Sequence, residues 1–216
     1  MTARSSIAGD RRSLYRDIRR YHAGEIALSS REIERRIFGT GAALAEDGLG
    51  ETVQRLGLHK FGEDPPNYDV VRAALGLLPR PGMTLLDVGC GRGRVLLYAA
   101  LLGAPRVTGI EILEARAALA RMAASAHLPP GAATIRTGDA LKLPWPAAEA
   151  LIVMNPFFPS AYRHLRTRLL DYAAARQTVV ISVSTLRDRL AADRRFRQIG
   201  AAEVGWIALG AFEVRH

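Results

Sequence analysis

Two acidic residues and a run of alternate glycines are the part of this chain best suited to chemistry. Asp87 lies inside a short apolar run, and Glu111 closes a second one. Three glycines on alternate positions follow Asp87, namely Gly89, Gly91 and Gly93. Glycine lacks Cβ, so a turn built from it lets a ligand approach the backbone closely. An acid at the end of a second strand can accept hydrogen bonds from the two hydroxyls of a ribose. The spacing therefore predicts a site for a nucleoside-containing ligand.

The elements that must hold these residues are a strand, a turn, a helix and a second strand. The apolar run 85–88 is too short for a helix and is followed by glycine, which indicates a buried strand. Residues 95–102 favour a helix, and residues 106–110 favour the second strand. The first backbone N–H groups of such a helix are unpaired and favour polar or anionic ligand groups. Together these elements form the first half of a nucleotide-binding βαβ unit.

The motif differs from the dinucleotide fingerprint G-x-G-x-x-G, because Arg94 stands where the third glycine would fall. The pattern is instead D-x-G-x-G-x-G, beginning at Asp87. A carboxylate at that position would repel a pyrophosphate and would attract an amine. A glycine-rich turn without a ligand, or an NAD site of unusual form, is the alternative that these residues leave open.

This pattern, with an acid closing the second strand, resembles the class I S-adenosylmethionine-dependent methyltransferases. The resemblance implies S-adenosylmethionine as the cofactor and no metal. It also implies that Asp87 faces the amino-acid end of the cofactor, that Glu111 binds the ribose, and that Asp139 meets the adenine amino group. For Asp139, a residue that only shapes a turn is the alternative. The cofactor-binding residues predicted in this way are Asp87, Gly89, Cys90, Gly91, Gly93, Glu111, Ile112, Asp139, Ala140 and Asn155.

A second motif, Asn155-Pro156-Phe157-Phe158, follows the most apolar strand candidate, residues 151–154. It resembles the Asn-Pro-Pro-Tyr/Phe loop of methyltransferases that modify nitrogen. There the Asn side chain and a backbone carbonyl accept hydrogen bonds from the target amine, and the aromatic ring stacks on a planar acceptor. The resemblance implies a catalytic role for all four residues, although Phe157 replaces the second proline. Base, amide and lysine acceptors stay open, and a loop whose phenylalanines only pack is the alternative.

The order of the predicted elements indicates an α/β fold. The resemblance implies a Rossmann-like, seven-stranded, mostly parallel sheet with helices on both faces and a C-terminal antiparallel hairpin. Further strands are predicted at 134–137, 151–154 and 178–183, with the hairpin inside 198–214. Further helices are predicted at 68–78, 113–126, 160–175 and 184–192.

Particular side chains of these helices have predicted places. In helix 113–126, Leu119 and Met122 are spaced to face the core. Ser160 is predicted to cap the helix that follows it. At the start of helix 68–78, Asn67 or Tyr68 is placed to shape the methionine end of the cofactor site. A helix cap and a core aromatic are the alternative for that pair.

Consecutive prolines at 65 and 66 predict the boundary between two parts of the chain. Residues 1–64 are predicted to form a helical N-terminal extension or lid, and residues 65–216 the methyltransferase domain. Within the extension, Ser29 and Glu32 have the spacing of a capping box at the start of a helix. The extension carries no motif that identifies an acceptor.

The composition limits the classes of function. The chain has 216 residues and a formal net charge of +9, and Lys60 and Lys142 are its only lysines. The charge favours an acidic or nucleic-acid partner, although an arginine-rich coding bias is an alternative. No apolar run approaches 18 residues, which predicts no membrane span, and the N-terminus favours a cytoplasmic protein. Cys90 is the only cysteine, so we expect no internal disulfide and a packing role for its small side chain.

These observations lead to one principal hypothesis. The chain is predicted to be a methyltransferase, monomeric or dimeric, that methylates a nitrogen on a macromolecule such as a protein side chain or RNA. Methylation of a small metabolite is the first alternative. A cofactor-binding protein without turnover is the second.

Overall fold

A computed structural model of the protein describes residues 11–39, 67–154 and 159–215. Within these ranges, seven strands form one sheet, and helices cover both of its faces. The strands are β1 (Leu85–Val88), β2 (Val107–Glu111), β3 (Ala133–Thr137), β4 (Ala150–Val153), β5 (Val179–Val183), β6 (Phe196–Val204) and β7 (Ile207–Val214). The helices are α1 (Arg11–His22), α2 (Ser30–Phe38), α3 (Tyr68–Gly76), α4 (Arg94–Leu101), α5 (Glu114–His127), α6 (Tyr162–Arg176) and α7 (Ser184–Ala191).

The strand order is β3-β2-β1-β4-β5-β7-β6. Strands β1 to β5 pair in parallel, whereas β7 is antiparallel to β5 and to β6. The order of the strands reverses between β1 and β4, and ligands of open α/β sheets bind beyond the carboxyl ends of the strands at such a point. The predicted Rossmann-like sheet with its terminal antiparallel hairpin is confirmed.

The central strands are apolar along their whole length because both faces of the sheet are covered. Every residue of β1, β4 and β5 is buried. One face of the sheet packs against α1 to α5, and the other packs against α6 and α7. Alternate residues of a strand serve the two faces, so Leu85 joins the first core and Leu86 the second.

The two N-terminal helices belong to the first of these cores. Helix α1 buries Leu14, Ile18 and Tyr21, at the spacing of one helical face. The ring of Tyr21 meets the ring of Tyr98 edge-on at 6.4 Å, and Tyr68 lies 5.9 Å from Tyr98 on another side. The aromatic cluster therefore joins α1 to α3 and α4.

Helix α2 begins at the predicted capping box. The Ser29 hydroxyl accepts a hydrogen bond from the Glu32 backbone N–H, and the Glu32 carboxylate accepts one from the Ser29 backbone N–H. Two otherwise unpaired donors are satisfied in this way. The predicted boundary at residues 65 and 66 lies outside the described residues, as does most of the connection between α2 and α3.

The structure corrects two of the predicted side-chain placements. Met122 of α5 is exposed, and Leu119 is only partly buried, because α5 turns a face of alanines to the core. A Cβ built on Gly93 would lie 2.9 Å from the Ala120 Cβ, so the close approach of α5 excludes larger side chains there. Ser160 lies in a short 3-10 turn, and α6 begins at Tyr162 without a side-chain cap.

Candidate cofactor site

The two predicted acids and the glycine turn lie at the carboxyl ends of β1 and β2. Asp87 is the third residue of β1 and pairs in register with Gly109 of β2. Glu111 is the last residue of β2, two positions further on. The glycine turn leaves β1 at Gly89 and enters α4 after Gly93. The structure thus brings both acids and the turn to one edge of the sheet, beside the switch point.

The three glycines of the turn have positive φ angles, namely 80° at Gly89, 55° at Gly91 and 79° at Gly93. Side chains with a Cβ rarely adopt this region, so the turn depends on glycine. The turn is also tied to β2, because the backbone N–H groups of residues 89 and 90 donate to the Ile110 carbonyl at 2.9 and 3.0 Å.

Gly91 and Gly93 differ in the space around them. A Cβ built on Gly91 would meet no atom of the described residues within 4 Å, whereas one on Gly93 would collide with Ala120. Gly91 therefore faces open space through which a ligand can approach the backbone, and Gly93 serves the packing of α5.

Glu111 is buried and accepts hydrogen bonds from two backbone N–H groups. One oxygen, Oε2, lies 2.8 Å from the Gly91 nitrogen, and the other, Oε1, lies 2.9 Å from the Leu113 nitrogen. Each carboxylate oxygen has a second lone pair, so two hydroxyl donors can still bind. Glu111 thus also holds the glycine turn, a contact that the sequence interpretation missed.

Asp87 is buried as well, and burial together with the nearby Glu111 carboxylate raises its pKa to about 8. Burial disfavours the charged form of a carboxyl group, and a like charge adds to that effect. A ligand cation such as an ammonium group would reverse both effects. The two acids therefore suit a positively charged ligand, whose charge would favour the ionised form of Asp87.

Cys90 packs under the turn. Burial raises the pKa of its thiol well above the ordinary value, so the thiol stays protonated and unreactive at neutral pH. A Cβ on Gly109 would lie 2.5 Å from the Cys90 sulfur and 2.4 Å from Leu96. The sequence interpretation missed Gly109, although a glycine inside a strand signals a close approach of this kind.

Three further residues predicted to bind the cofactor, Ile112, Asp139 and Ala140, lie after β2 and β3. Ile112, directly after Glu111, is 37% exposed. The Asp139 carboxylate accepts a hydrogen bond from the Leu141 nitrogen at 2.8 Å and lies 3.5 Å from the Lys142 ammonium. Asp139 therefore shapes a turn, and its partly exposed carboxylate also faces solvent. Ala140 is buried.

The predicted acceptor loop, Asn155-Pro156-Phe157-Phe158, lies outside the described residues. Its two ends are described: β4 ends at Val153, beside β1, and α6 begins at Tyr162. Arg163 and His164, in the first turn of α6, are exposed.

Asn67 and Tyr68 occupy the places of a helix cap and a core aromatic. The Asn67 side chain accepts a hydrogen bond from the Asp69 nitrogen. Tyr68 is fully buried, and its hydroxyl donates to Glu34 of α2 at 2.9 Å. Glu34 also pairs with Arg94 at the start of α4 and was not singled out by the sequence interpretation.

A further residue that the sequence interpretation missed is Trp206, in the turn between β6 and β7. Its side chain is 89% exposed. Val183, the last residue of β5, pairs with Leu209, so the β6–β7 turn projects beyond the carboxyl end of β5. Trp206 therefore lies on the same edge of the sheet as the glycine turn. Three strand spacings separate β7 from β1, a distance of roughly 14 Å.

The fold and the site geometry together define a class of protein. A family model described as a methyltransferase domain matches residues 85–181. Residues 85–181 thus match a methyltransferase domain, within a sheet of the Rossmann-like fold, and S-adenosylmethionine is the cofactor that this match indicates.

Particular relatives differ in their acceptors. Nocamycin O-methyltransferase from Saccharothrix syringae is 42% identical over 108 residues, which are 48% of this chain and 38% of that protein. This chain therefore spans well under half the length of that relative. An RNA methyltransferase from Salinibacter ruber, solved with S-adenosyl-L-homocysteine, has a TM-score of 0.58 at 22% identity, over 71% of this chain and 95% of that one. The ribosomal protein L11 methylase from Lactobacillus delbrueckii subsp. bulgaricus has a TM-score of 0.54 at 18% identity, over 70% and 82%.

The residues of this chain fit the cofactor. The open space at Gly91 and the paired acids Asp87 and Glu111 match a ligand that joins a nucleoside to a positively charged tail. Among residues 11–39, 67–154 and 159–215, no group of three His, Cys, Asp or Glu side chains could hold a metal ion. Within the same ranges, no helix has the length and apolar character needed to cross a membrane.

Proposed function

We propose that the protein is an S-adenosylmethionine-dependent methyltransferase that methylates a nitrogen on a macromolecular acceptor, a protein side chain or RNA. The observation that carries the macromolecular acceptor is Trp206, an almost fully exposed aromatic on the cofactor edge of the sheet. Exposed tryptophan side chains are costly to leave in water and are enriched where partners bind.

In this proposal the cofactor residues have separate roles. Asp87 binds the ammonium group of the cofactor, and Glu111 binds the ribose hydroxyls. At Gly91, the absence of a side chain lets the cofactor approach the backbone. Ile112 and Asp139 contact the adenine, with Ala140 beneath it. The support is the shared edge on which these residues lie, and the exposed face of Ile112 beside Glu111.

Methyl transfer requires alignment more than acid–base chemistry. The bound cofactor supplies a methyl group that its sulfonium already activates. The protein contributes a fixed orientation and a site shielded from water. In the proposal, the Asn155 side chain and a backbone carbonyl of the same loop accept hydrogen bonds from the target amine. Pro156 fixes the loop, and Phe157 and Phe158 form the wall against which a planar acceptor stacks.

The size of the surface supports a large acceptor. Trp206 lies roughly 14 Å from β1 across the sheet, so an acceptor that contacts both Trp206 and the cofactor must be extended. The polypeptide between Pro159 and Arg195, which runs from the acceptor loop to β6, has eight arginines but only three acidic residues. Among them Arg163 is exposed in the first turn of α6, next to the loop. The excess of arginines over acidic residues in this segment attracts a polyanion or an acidic protein segment.

The N-terminal region, residues 1–64, is proposed to be a helical extension that helps to form the acceptor side of the site, with residues 65–216 as the methyltransferase domain. The support is the position of α2, whose Glu34 contacts the residues that open α4.

A second candidate function is O-methylation of a small molecule. It is favoured by the 42% identity with nocamycin O-methyltransferase. In that case Trp206 would play no part in turnover, and the two candidates make opposite predictions for its removal.

The test offers labelled S-adenosylmethionine with ribosomal RNA, cell protein and a small-molecule extract in turn. The expected result is label in RNA or protein, and a rise of tenfold or more in the acceptor KM for Trp206→Ala with the cofactor KM unchanged. Met122→Ala, which also removes an exposed apolar side chain but from α5, is the matched control and should leave both constants unchanged.

Other outcomes contradict the proposal. Label in a small molecule, transferred equally well by Trp206→Ala, would support the second candidate. A protein that binds the cofactor but labels no pool would be a cofactor-binding protein without turnover. Asn155→Ala is expected to abolish transfer with little change in cofactor affinity, and survival of activity would refute the role of the loop.

A further inference from the structure

Glu34 of α2 is bound to the residues that open helix α4. Its carboxylate pairs with the Arg94 guanidinium through two oxygens, with Nε–Oε1 and Nε–Oε2 distances of 3.0 and 3.1 Å and a terminal nitrogen 2.8 Å from Oε1. The Tyr68 hydroxyl donates to Oε2 at 2.9 Å. A terminal nitrogen of Arg92, inside the glycine turn, lies 3.8 Å from Oε1.

This cluster is largely removed from water. The side chains of Glu34, Arg94 and Arg92 are 15%, 18% and 6% exposed, and Tyr68 is fully buried. Charges that are shielded from solvent are screened less by water and salt, so each of them acts over a longer distance. The cluster is therefore able to influence the potential of the adjoining cofactor site.

The two arginines make the start of α4 strongly positive. The N-terminus of a helix already carries a partial positive charge, which cations near it increase. Arg92 and Arg94 stand on either side of Gly93, the residue that precedes α4. The same turn must receive a cofactor with a positively charged sulfur. Glu34 contacts both guanidinium groups and thereby reduces the repulsion that these two cations exert on that sulfur.

We propose that Glu34 is a specificity-determining residue, which sets the charge of the cofactor turn so that the charged methyl donor binds well relative to its uncharged thioether product. The proposal rests on S-adenosylmethionine as the cofactor and is independent of the acceptor. It also gives α2 a direct part in the cofactor site, although α2 lies more than fifty residues before the glycine turn in the sequence.

A simpler role for Glu34 would be to attach α2 to the core. The two roles differ in their effect on the two nucleosides. S-adenosylmethionine and S-adenosylhomocysteine share the adenine, ribose and amino-acid groups and differ by one methyl group and one positive charge. A loss of packing would weaken both equally, whereas a change of charge near the sulfur would weaken only the cation further.

The experiment measures the dissociation constants of both nucleosides by titration calorimetry for four proteins. Glu34→Gln keeps the shape of the side chain and removes its charge, and Arg94→Gln removes one of the opposing charges. Glu25→Gln is the matched control, since Glu25 forms an exposed ion pair with Arg20 in the same N-terminal region. All four proteins are measured at low and at high salt.

For Glu34→Gln, the ratio of the two dissociation constants is expected to shift about fourfold against S-adenosylmethionine. That is the effect of one charge at an assumed distance of roughly 10 Å from the sulfur and an effective dielectric constant of about 40. For Arg94→Gln, the ratio is expected to shift in the opposite direction. Because the cluster is shielded from solvent, both shifts should persist at high salt, and Glu25→Gln should leave the ratio unchanged.

Equal weakening of both nucleosides by Glu34→Gln, or shifts of the same sign for the two variants, would overturn the proposal. If Glu34→Gln does not fold, the sign of the Arg94→Gln shift decides alone. If S-adenosylmethionine is not the cofactor, the unaltered protein will bind neither nucleoside, which distinguishes that outcome from a failure of the Glu34 proposal. The failure of the proposed acceptor would leave all of these ratios as predicted.

Discussion

The carboxyl groups of Asp87 and Glu111 lie in one buried site, at the ends of two neighbouring strands, and their negative charges repel each other. This repulsion and the burial raise the pKa of Asp87 to about 8, so Asp87 is largely protonated in the ligand-free protein at neutral pH. The Glu111 carboxylate is held in place by the backbone N–H groups of Gly91 and Leu113. The free protein therefore holds a proton that a cationic ligand must displace.

The first prediction is that cofactor binding releases a proton. The ammonium group of the cofactor pairs with ionised Asp87, so binding lowers the pKa of Asp87 and its proton leaves. The association constant should rise as the pH rises from about 5.5 to 7, by up to tenfold per pH unit. The α-amino group of the ligand stays charged in this range. Calorimetry in buffers of different ionisation enthalpy counts the protons.

The matched variant for this prediction is Glu111→Gln. It removes the second cause of the raised pKa, so fewer protons should leave for each cofactor bound at pH 6.5. Binding without proton release by the unaltered protein would mean that Asp87 is already ionised before the ligand arrives.

The second prediction concerns the stability of the ligand-free protein. The pKa of Asp87 is higher in the folded state, about 8, than its unperturbed value of 3.8. Its contribution to stability is complete below pH 3.8 and is lost as the pH rises through 8. Asp87→Asn should therefore stabilise the ligand-free protein above pH 8, by roughly 2–5 kcal/mol.

Urea denaturation at pH 6, 7, 8 and 9 checks this result. The difference in unfolding free energy between Asp87→Asn and the unaltered protein should grow from pH 6 to pH 8 and level off above pH 8. A difference that is the same at all four values would show that Asp87 does not titrate in this range. The same variant should bind the cofactor poorly at every pH.

The third prediction separates two glycines of the turn. Gly93→Ala should destabilise the fold by about 2–4 kcal/mol, because its φ of 79° disfavours a Cβ and that Cβ would collide with Ala120. Gly91→Ala should lower the unfolding free energy by only about 1–2 kcal/mol, because the φ of 55° at this position disfavours a Cβ but the space around it is open. Its methyl group enters the path of the ligand, and cofactor affinity should fall tenfold or more.

Urea denaturation and cofactor titration of the two variants test this contrast. If Gly91→Ala binds the cofactor as well as the unaltered protein does, the open space at Gly91 is not the ligand path.

The fourth prediction concerns the packing of α5. Ala120→Leu should destabilise the protein by about 1–3 kcal/mol or prevent its folding, because the position touches the glycine turn. Met122→Gln should change the unfolding free energy by less than about 0.5 kcal/mol, because Met122 is exposed. Equal effects of the two substitutions would contradict the orientation of the helix.

The sequence was sufficient to predict the parts of this fold that are specified locally. The strand with Asp87, the glycine turn, the capping box of Ser29 and Glu32, and the order of strands and helices all follow from short-range patterns. The orientation of α5 could not be predicted in the same way. Leu119 and Met122 are the larger apolar residues, but the distance of α5 from the turn decided which face could be buried.

The contacts of Glu34 could not be predicted for a different reason. Glu34 and Arg94 are sixty residues apart, and a single glutamate on an amphipathic helix is ordinarily a solvated residue. The position of Trp206 on the cofactor edge likewise depended on the register of β7 against β5. The acceptor loop at Asn155 stays a prediction from the sequence alone.

The aromatic contacts of α1 with α3 and α4 bear on how the protein can be divided. Tyr21, Tyr68 and Tyr98 share one buried cluster. A fragment that starts at residue 65 would therefore expose the apolar surface that α1 covers. Such a fragment should self-associate. A chimera that exchanges the N-terminal region between relatives would have to preserve the contacts of this tyrosine cluster as well.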